Sequence, residues 1–134
     1  MIFLDTSGLF ACCATSEPHS KEARRLFEQS SAKLTHSYVL SELITLASAR
    51  GFARLPIYLF VGELLAHPQV TTIWVNEPLH LAAMDLLEHR ADKSYSLCDA
   101  VSFVLMAKHN ATDALTSDYH FEQEGFRRLL QGGR

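Results

Sequence analysis

No stretch of this chain stays apolar for the ~18 residues that a membrane-spanning helix needs, and the N-terminus has neither a basic leader nor the apolar centre of a signal peptide. Secretion and membrane insertion are therefore not expected, and the protein is read as cytoplasmic, with no membrane partner. Cysteine is scarce and irregular: three residues, two of them adjacent (Cys12 and Cys13), with no CxxC spacing. Such a set excludes a disulfide framework and a zinc knuckle, and fits a reducing compartment. Excess positive charge is lacking as well. Twelve Lys and Arg against fifteen Asp and Glu leave a formal charge of −3, so no global field draws the chain onto a polyanion. A nucleic-acid substrate would need local steering groups, for which Arg50, Arg54, Lys93, Arg127 and Arg128 are the candidates. The seven histidines show no HExxH-type pairing, and there are no internal repeats or low-complexity tracts.

What is present is the balance of a soluble globular protein, with 48% apolar and 20% charged residues. A length of 134 residues suits one domain, 1–134, because division would leave two under-sized cores. Ile2 to Leu4 is a short apolar run that breaks off at Asp5-Thr6-Ser7-Gly8, the pattern of a buried parallel strand ending at a loop. Amphipathic periodicity predicts helices over 19–30, 38–50, 55–67 and 79–90. A further helix, 96–110, is apolar nearly all round. Strands are expected at 33–35, 70–75, 114–116 and 126–130, the richest in β-branched residues being Val70 to Val75. Strands alternating with helices imply an α/β fold with a mostly parallel sheet of about five strands between helical layers.

Four of the fifteen acids stand out by position. Asp5 lies just past the carboxyl end of the first strand, where open α/β sheets place ligands. Glu42 is early in the helix after the second strand, at the edge of its apolar arc. Asp99 sits in a helix with no evident polar face, and a buried acid needs a partner. From Asp99 the helix runs ~17 Å one way and the segment 113–118 returns ~17 Å, bringing Asp118 to the same edge. Each has a plain alternative: a turn or cap for Asp5 and Asp118, a helix-dipole acid for Glu42, and a capping box with Ser96 for Asp99. Four such accidents would not usually converge on one end of one sheet.

Two carboxylates ~5 Å apart repel by roughly 3 kcal/mol at an effective dielectric near 20, so a cluster of them must take up protons or hold cations. An all-oxygen donor set without Cys or His favours Mg²⁺ or Mn²⁺ over zinc. That chemistry suits phosphodiester hydrolysis.

The segments Ile-Phe-Leu-Asp-Thr-Ser at 2–7, Ser-Glu-Leu at 41–43, Ser-Leu-Cys-Asp-Ala at 96–100 and Thr-Ser-Asp-Tyr-His-Phe at 116–121 resemble, in order, the acidic motifs of the PIN-domain family, and most of all its VapC-type toxins. The resemblance spans essentially the whole chain and implies a three-layer α/β/α fold. It also implies a Mg²⁺- or Mn²⁺-dependent endoribonuclease, the toxin of a type II toxin–antitoxin pair. Asp5, Glu42, Asp99 and Asp118 would be the catalytic, metal-binding carboxylates, and the hydroxyls of Thr6 and Thr116 would support them. A homodimer, an RNA substrate and a VapB-like antitoxin are the implied partners. Cys98 is read as core packing and His120 as part of a local turn. A dehalogenase-like phosphatase would want an acid where Ser7 stands, and a receiver domain lacks its residue set here. The alternative from another class is a catalytically silent PIN-like module that binds RNA or protein, which gains nothing from four mutually repelling acids.

Overall fold

The computed structural model describes residues 1–131, so the last three positions of the expected domain, 132–134, lie outside the described residues. Five strands, β1 (Ile2–Leu4), β2 (Lys33–His36), β3 (Val70–Ile73), β4 (Asp113–Leu115) and β5 (Arg127–Arg128), form one sheet in the order β3-β2-β1-β4-β5. All four pairings are parallel, with Phe3 opposite both Leu34 and Ala114. The helices are α1 (Thr6–Cys13), α2 (Ser20–Gln29), α3 (Ser37–Ala49), α4 (Arg54–Ala66), α5 (Glu77–His89), α6 (Leu97–Lys108) and α7 (His120–Gln123). Packing of α1 on α2 and α3, and of α6 on α5 and α7, divides them between two layers. This is the three-layer α/β/α arrangement expected from the residues.

The topology places the site. From β1 the chain crosses to β2 and then β3, and it returns on the other side of β1 to form β4. Right-handed crossovers then carry the intervening helices to opposite faces, which opens a crevice at the carboxyl ends of β1 and β4. Central strands buried on both faces must be apolar throughout, and Phe3, Leu4, Leu34, Ala114 and Leu115 are fully buried.

Where the sequence predicts a loop after β1, the structure has α1 starting at once at Thr6. Gly8 looks like loop punctuation but is a packing residue: a Cβ there would lie 2.0 Å from the Leu115 carbonyl oxygen, so only glycine lets α1 press on β4. The strand richest in β-branched residues is shorter than expected and lies half-buried at the sheet edge. Expected over 126–130, β5 contracts to Arg127–Arg128, and the short helix α7 was not anticipated.

Candidate active site

Asp5 occupies the N-cap position of α1, yet its side chain makes no cap to that helix. Its carboxylate accepts instead from the Thr116 hydroxyl at 2.7 Å, across the gap between β1 and β4. With its single proton committed to Asp5, Thr116 Oγ1 accepts from the Asp118 amide at 3.0 Å and from the Ser7 hydroxyl at 3.1 Å. Ser7 Oγ in turn accepts from the Ser117 amide at 3.0 Å. Every proton in this relay has one direction, so the start of α1 is tied to the end of β4. Of these residues the sequence drew attention to Thr116; Ser7 carried no signal beyond its place two residues after Asp5.

Glu42 stands in the second turn of α3 and accepts from Thr6 Oγ1 at 2.5 Å. Asp99 completes the capping box expected of it: its amide donates to Ser96 Oγ at 3.0 Å, and its Oδ2 accepts from the Ser96 amide at 3.1 Å. Capping is only part of its environment, because the carboxylate is nearly buried and also faces His120 Nδ1 at 2.9 Å. Asp118 accepts from the His120 amide at 2.9 Å, and its Oδ1 lies 3.5 Å from the same Nδ1.

The structure brings all four predicted acids to one depression of about 220 Å³, lined by Asp5, Thr6, Ser7, Glu42, Leu46, Asp99 and Asp118. Among the described residues, one tighter group has three metal-capable atoms all within 4.8 Å of one another: Asp99, Asp118 and His120. His120 is thus a member that sequence reasoning missed. It opens α7 as a turn residue was expected to, but its ring points at the acids. The dipeptide before Phe121 gave no sign of that, since the direction depends on how α7 packs against α6.

Charge in the depression is out of balance. Burial pushes the Asp5 carboxyl up to about 7, with Asp99 and Asp118 adding to the rise and the Thr116 hydrogen bond only partly opposing it. No Lys or Arg is paired with Asp5, Glu42, Asp99 or Asp118 among the described residues. Of the five steering candidates, Arg50, Lys93, Arg127 and Arg128 each lie within 3.4 Å of an acid elsewhere. Arg54 lines a separate, larger groove of about 580 Å³ between α3 and α4. Cys98 is buried beside the acids with its thiol pushed up by burial, consistent with packing rather than nucleophilic chemistry.

The family model of the PIN domain matches residues 2–126. The chain belongs to the PIN domain family. Among solved structures, this PIN domain is similar to VapC20 of Mycobacterium tuberculosis, a sarcin-ricin loop cleaving toxin. The two share 28% identity and superpose with a TM-score of 0.85, over 94% of this chain and 96% of that one. No curated protein matches the sequence. The likeness to VapC20 thus extends over nearly the whole fold of the PIN domain.

Proposed function

We propose that this PIN domain is a metal-dependent endoribonuclease, the toxin of a type II toxin–antitoxin pair, with Asp5, Glu42, Asp99 and Asp118 as its catalytic, metal-binding carboxylates. The observation that carries the reading is Asp5: a buried carboxyl, held by the Thr116 hydroxyl, with two further acids raising its pKa and, among the described residues, no Lys or Arg paired with it. Such a group needs a proton or a cation. The donor set fits a hard divalent ion, since four carboxylates from four elements face one open depression. Bound there, Mg²⁺ or Mn²⁺ would neutralise phosphate charge and make water a competent nucleophile near neutral pH.

The chain's own residues prepare for that role. Thr116 orients Asp5, Thr6 orients Glu42, the Ser96 capping box orients Asp99 and the His120 amide orients Asp118, so each carboxylate is held in place before substrate arrives. Without a cation, Asp5 keeps its proton up to about pH 7 and must release it as the ion enters. The acids repel a bare phosphodiester, so RNA binding and ion binding are mutually dependent. The same acidic depression suits a VapB-like antitoxin that inserts an arginine among the carboxylates. A homodimer working in the cytoplasm, as the resemblance of the motifs to VapC-type toxins implies, completes the reading, and three free cysteines suit a reducing compartment.

The test is purified protein incubated with structured RNAs, one of them carrying the sarcin-ricin loop, in Mg²⁺ or Mn²⁺. Cleavage is expected, is abolished by EDTA, and is lost in Asp5→Asn and Asp99→Asn proteins that still unfold cooperatively. EDTA-resistant cleavage, or full activity in both variants, refutes the assignment.

A further inference from the structure

A histidine stands among the acids. His120 Nδ1 lies 2.9 Å from an Asp99 oxygen and 3.5 Å from an Asp118 oxygen. Ligand atoms at adjacent corners of an octahedron with ~2.1 Å bonds stand about 3 Å apart, so these spacings suit neighbouring ligands of one ion. The other ring nitrogen has its own partner: Nε2 is 3.2 Å from Ser94 Oγ, which can accept its proton. The edge of the ring packs against Tyr95 at 5.3 Å between centroids. In the tautomer whose Nε2–H goes to Ser94, Nδ1 turns a lone pair on the carboxylates; in the other, Nδ1–H donates to Asp99 and Nε2 accepts from Ser94, and an entering ion would take the place of the Nδ1 proton. A lone pair and a carboxylate 2.9 Å apart are compatible only with positive charge between them, whether a proton or a metal ion.

We infer that His120 is a ligand of the cation held by Asp99 and Asp118, bound through Nδ1, and that this imidazole selects Mn²⁺ ahead of Mg²⁺. The inference rests on the metal-site reading above and sharpens it, because an all-carboxylate site has little reason to prefer one of these ions. Mg²⁺ takes oxygen ligands and gives up its waters reluctantly, whereas Mn²⁺ accepts an imidazole nitrogen readily. Ser94 serves as the outer partner that fixes the ring, the arrangement in which metal-binding histidines are usually found. Two elements are joined by this set, the start of α6 and the start of α7, so metal binding should also tie α7 down.

The experiment needs no RNA. Mn²⁺ and Mg²⁺ are titrated calorimetrically into wild-type, His120→Ala and His120→Asn protein, and the Mn²⁺ complexes are measured by pulsed electron paramagnetic resonance for ¹⁴N modulation. The expected result is nitrogen modulation in wild-type protein that disappears in His120→Ala. Mn²⁺ affinity should fall about 10-fold or more in that variant, while Mg²⁺ affinity changes less than about 3-fold. Mn²⁺ bound without nitrogen modulation overturns the role of His120 while leaving the carboxylate site standing. A wild-type protein that binds neither ion overturns both. Should His120→Ala fail to fold, the wild-type spectrum alone still decides, because its ¹⁴N signal is either present or absent.

Discussion

Two buried ionisable side chains stand at the carboxyl ends of adjacent central strands, Asp5 after β1 and His36 closing β2, and they are treated in opposite ways. His36 is fully buried, and both ring nitrogens are engaged. Ser102 donates its hydroxyl proton to the Cys98 carbonyl, so its oxygen accepts from His36 Nε2–H at 2.9 Å, while Nδ1 accepts from the Val39 amide and caps α3. Burial drives the His36 pKa down to about 3, which leaves a neutral ring with nothing unsatisfied. Asp5 is nearly as buried, but its pKa is driven up to about 7, and it borders an open depression with three more acids. The contrast separates a titratable group that holds the fold from one that the fold leaves unbalanced. The second is the one to which we assign function.

The largest expected effect falls on the unbalanced side. Asp118→Asn removes a carboxylate from the depression without emptying the core, and RNA cleavage in Mn²⁺ should drop at least ~10³-fold while the unfolding midpoint moves little. An active variant would show that the imbalance has no chemical use. On the satisfied side, His36→Ala leaves a void, an uncapped helix and an orphaned Ser102, and should cost about 3 kcal/mol in urea unfolding. A cost under about 1 kcal/mol would mean that the ring is not the keystone its contacts suggest.

A smaller effect has the opposite sign. Asp5→Asn keeps an acceptor for Thr116 but carries no charge, so at pH 8 the metal-free variant should be more stable than wild type by about 2 kcal/mol. The same variant should lose the stabilisation that Mn²⁺ confers on wild type. Equal stability of the two metal-free proteins would contradict a strained carboxylate.

The two groups also respond to pH in opposite directions. The folded pKa of Asp5 is raised from 3.8 to about 7, so its contribution is fully present below pH 4 and is lost as pH rises towards 7. For His36 the folded pKa is lowered from 6.5 to about 3, so its contribution is present above pH 6.5 and is lost as pH falls. Each slope is about 1.4 kcal/mol per pH unit, and between about pH 4 and 6.5 they oppose one another. In that window Asp5→Asn should gain stability with rising pH relative to wild type, and His36→Ala should lose it. Parallel curves for all three proteins would remove the basis of the contrast. The smallest effect belongs to Ser96→Ala, which deletes half of the Asp99 capping box and should cost about 1 kcal/mol of stability.

Much of the fold was legible because parallel central strands and amphipathic helices leave strong patterns. The runs around Phe3, Leu34 and Ala114 emerged as the core of the sheet, and α3 to α6 lie within about two residues of their predicted ends. The helix α1 was not legible, since Thr6-Ser7-Gly8 imitates a turn and the reason for Gly8 is a backbone 107 residues away, the Leu115 carbonyl. The shared position of the four acids was readable from topology, because each lies just past a strand or in the first two turns of a helix at one rim. Ser7, His36 and His120 were not, for the same physical reason: each matters through a partner distant in sequence, namely Thr116, Ser102 and Asp99. Composition says nothing about which way such a side chain turns.

On our proposal, the depression bounded by Asp5, Glu42, Asp99 and Asp118 holds a divalent cation. The most direct measurement is anomalous diffraction from a crystal of this protein soaked in Mn²⁺. A strong anomalous peak is expected among those carboxylates, absent in Asp5→Asn crystals. No peak there in well-diffracting crystals, or a peak elsewhere on the surface alone, would contradict the proposal.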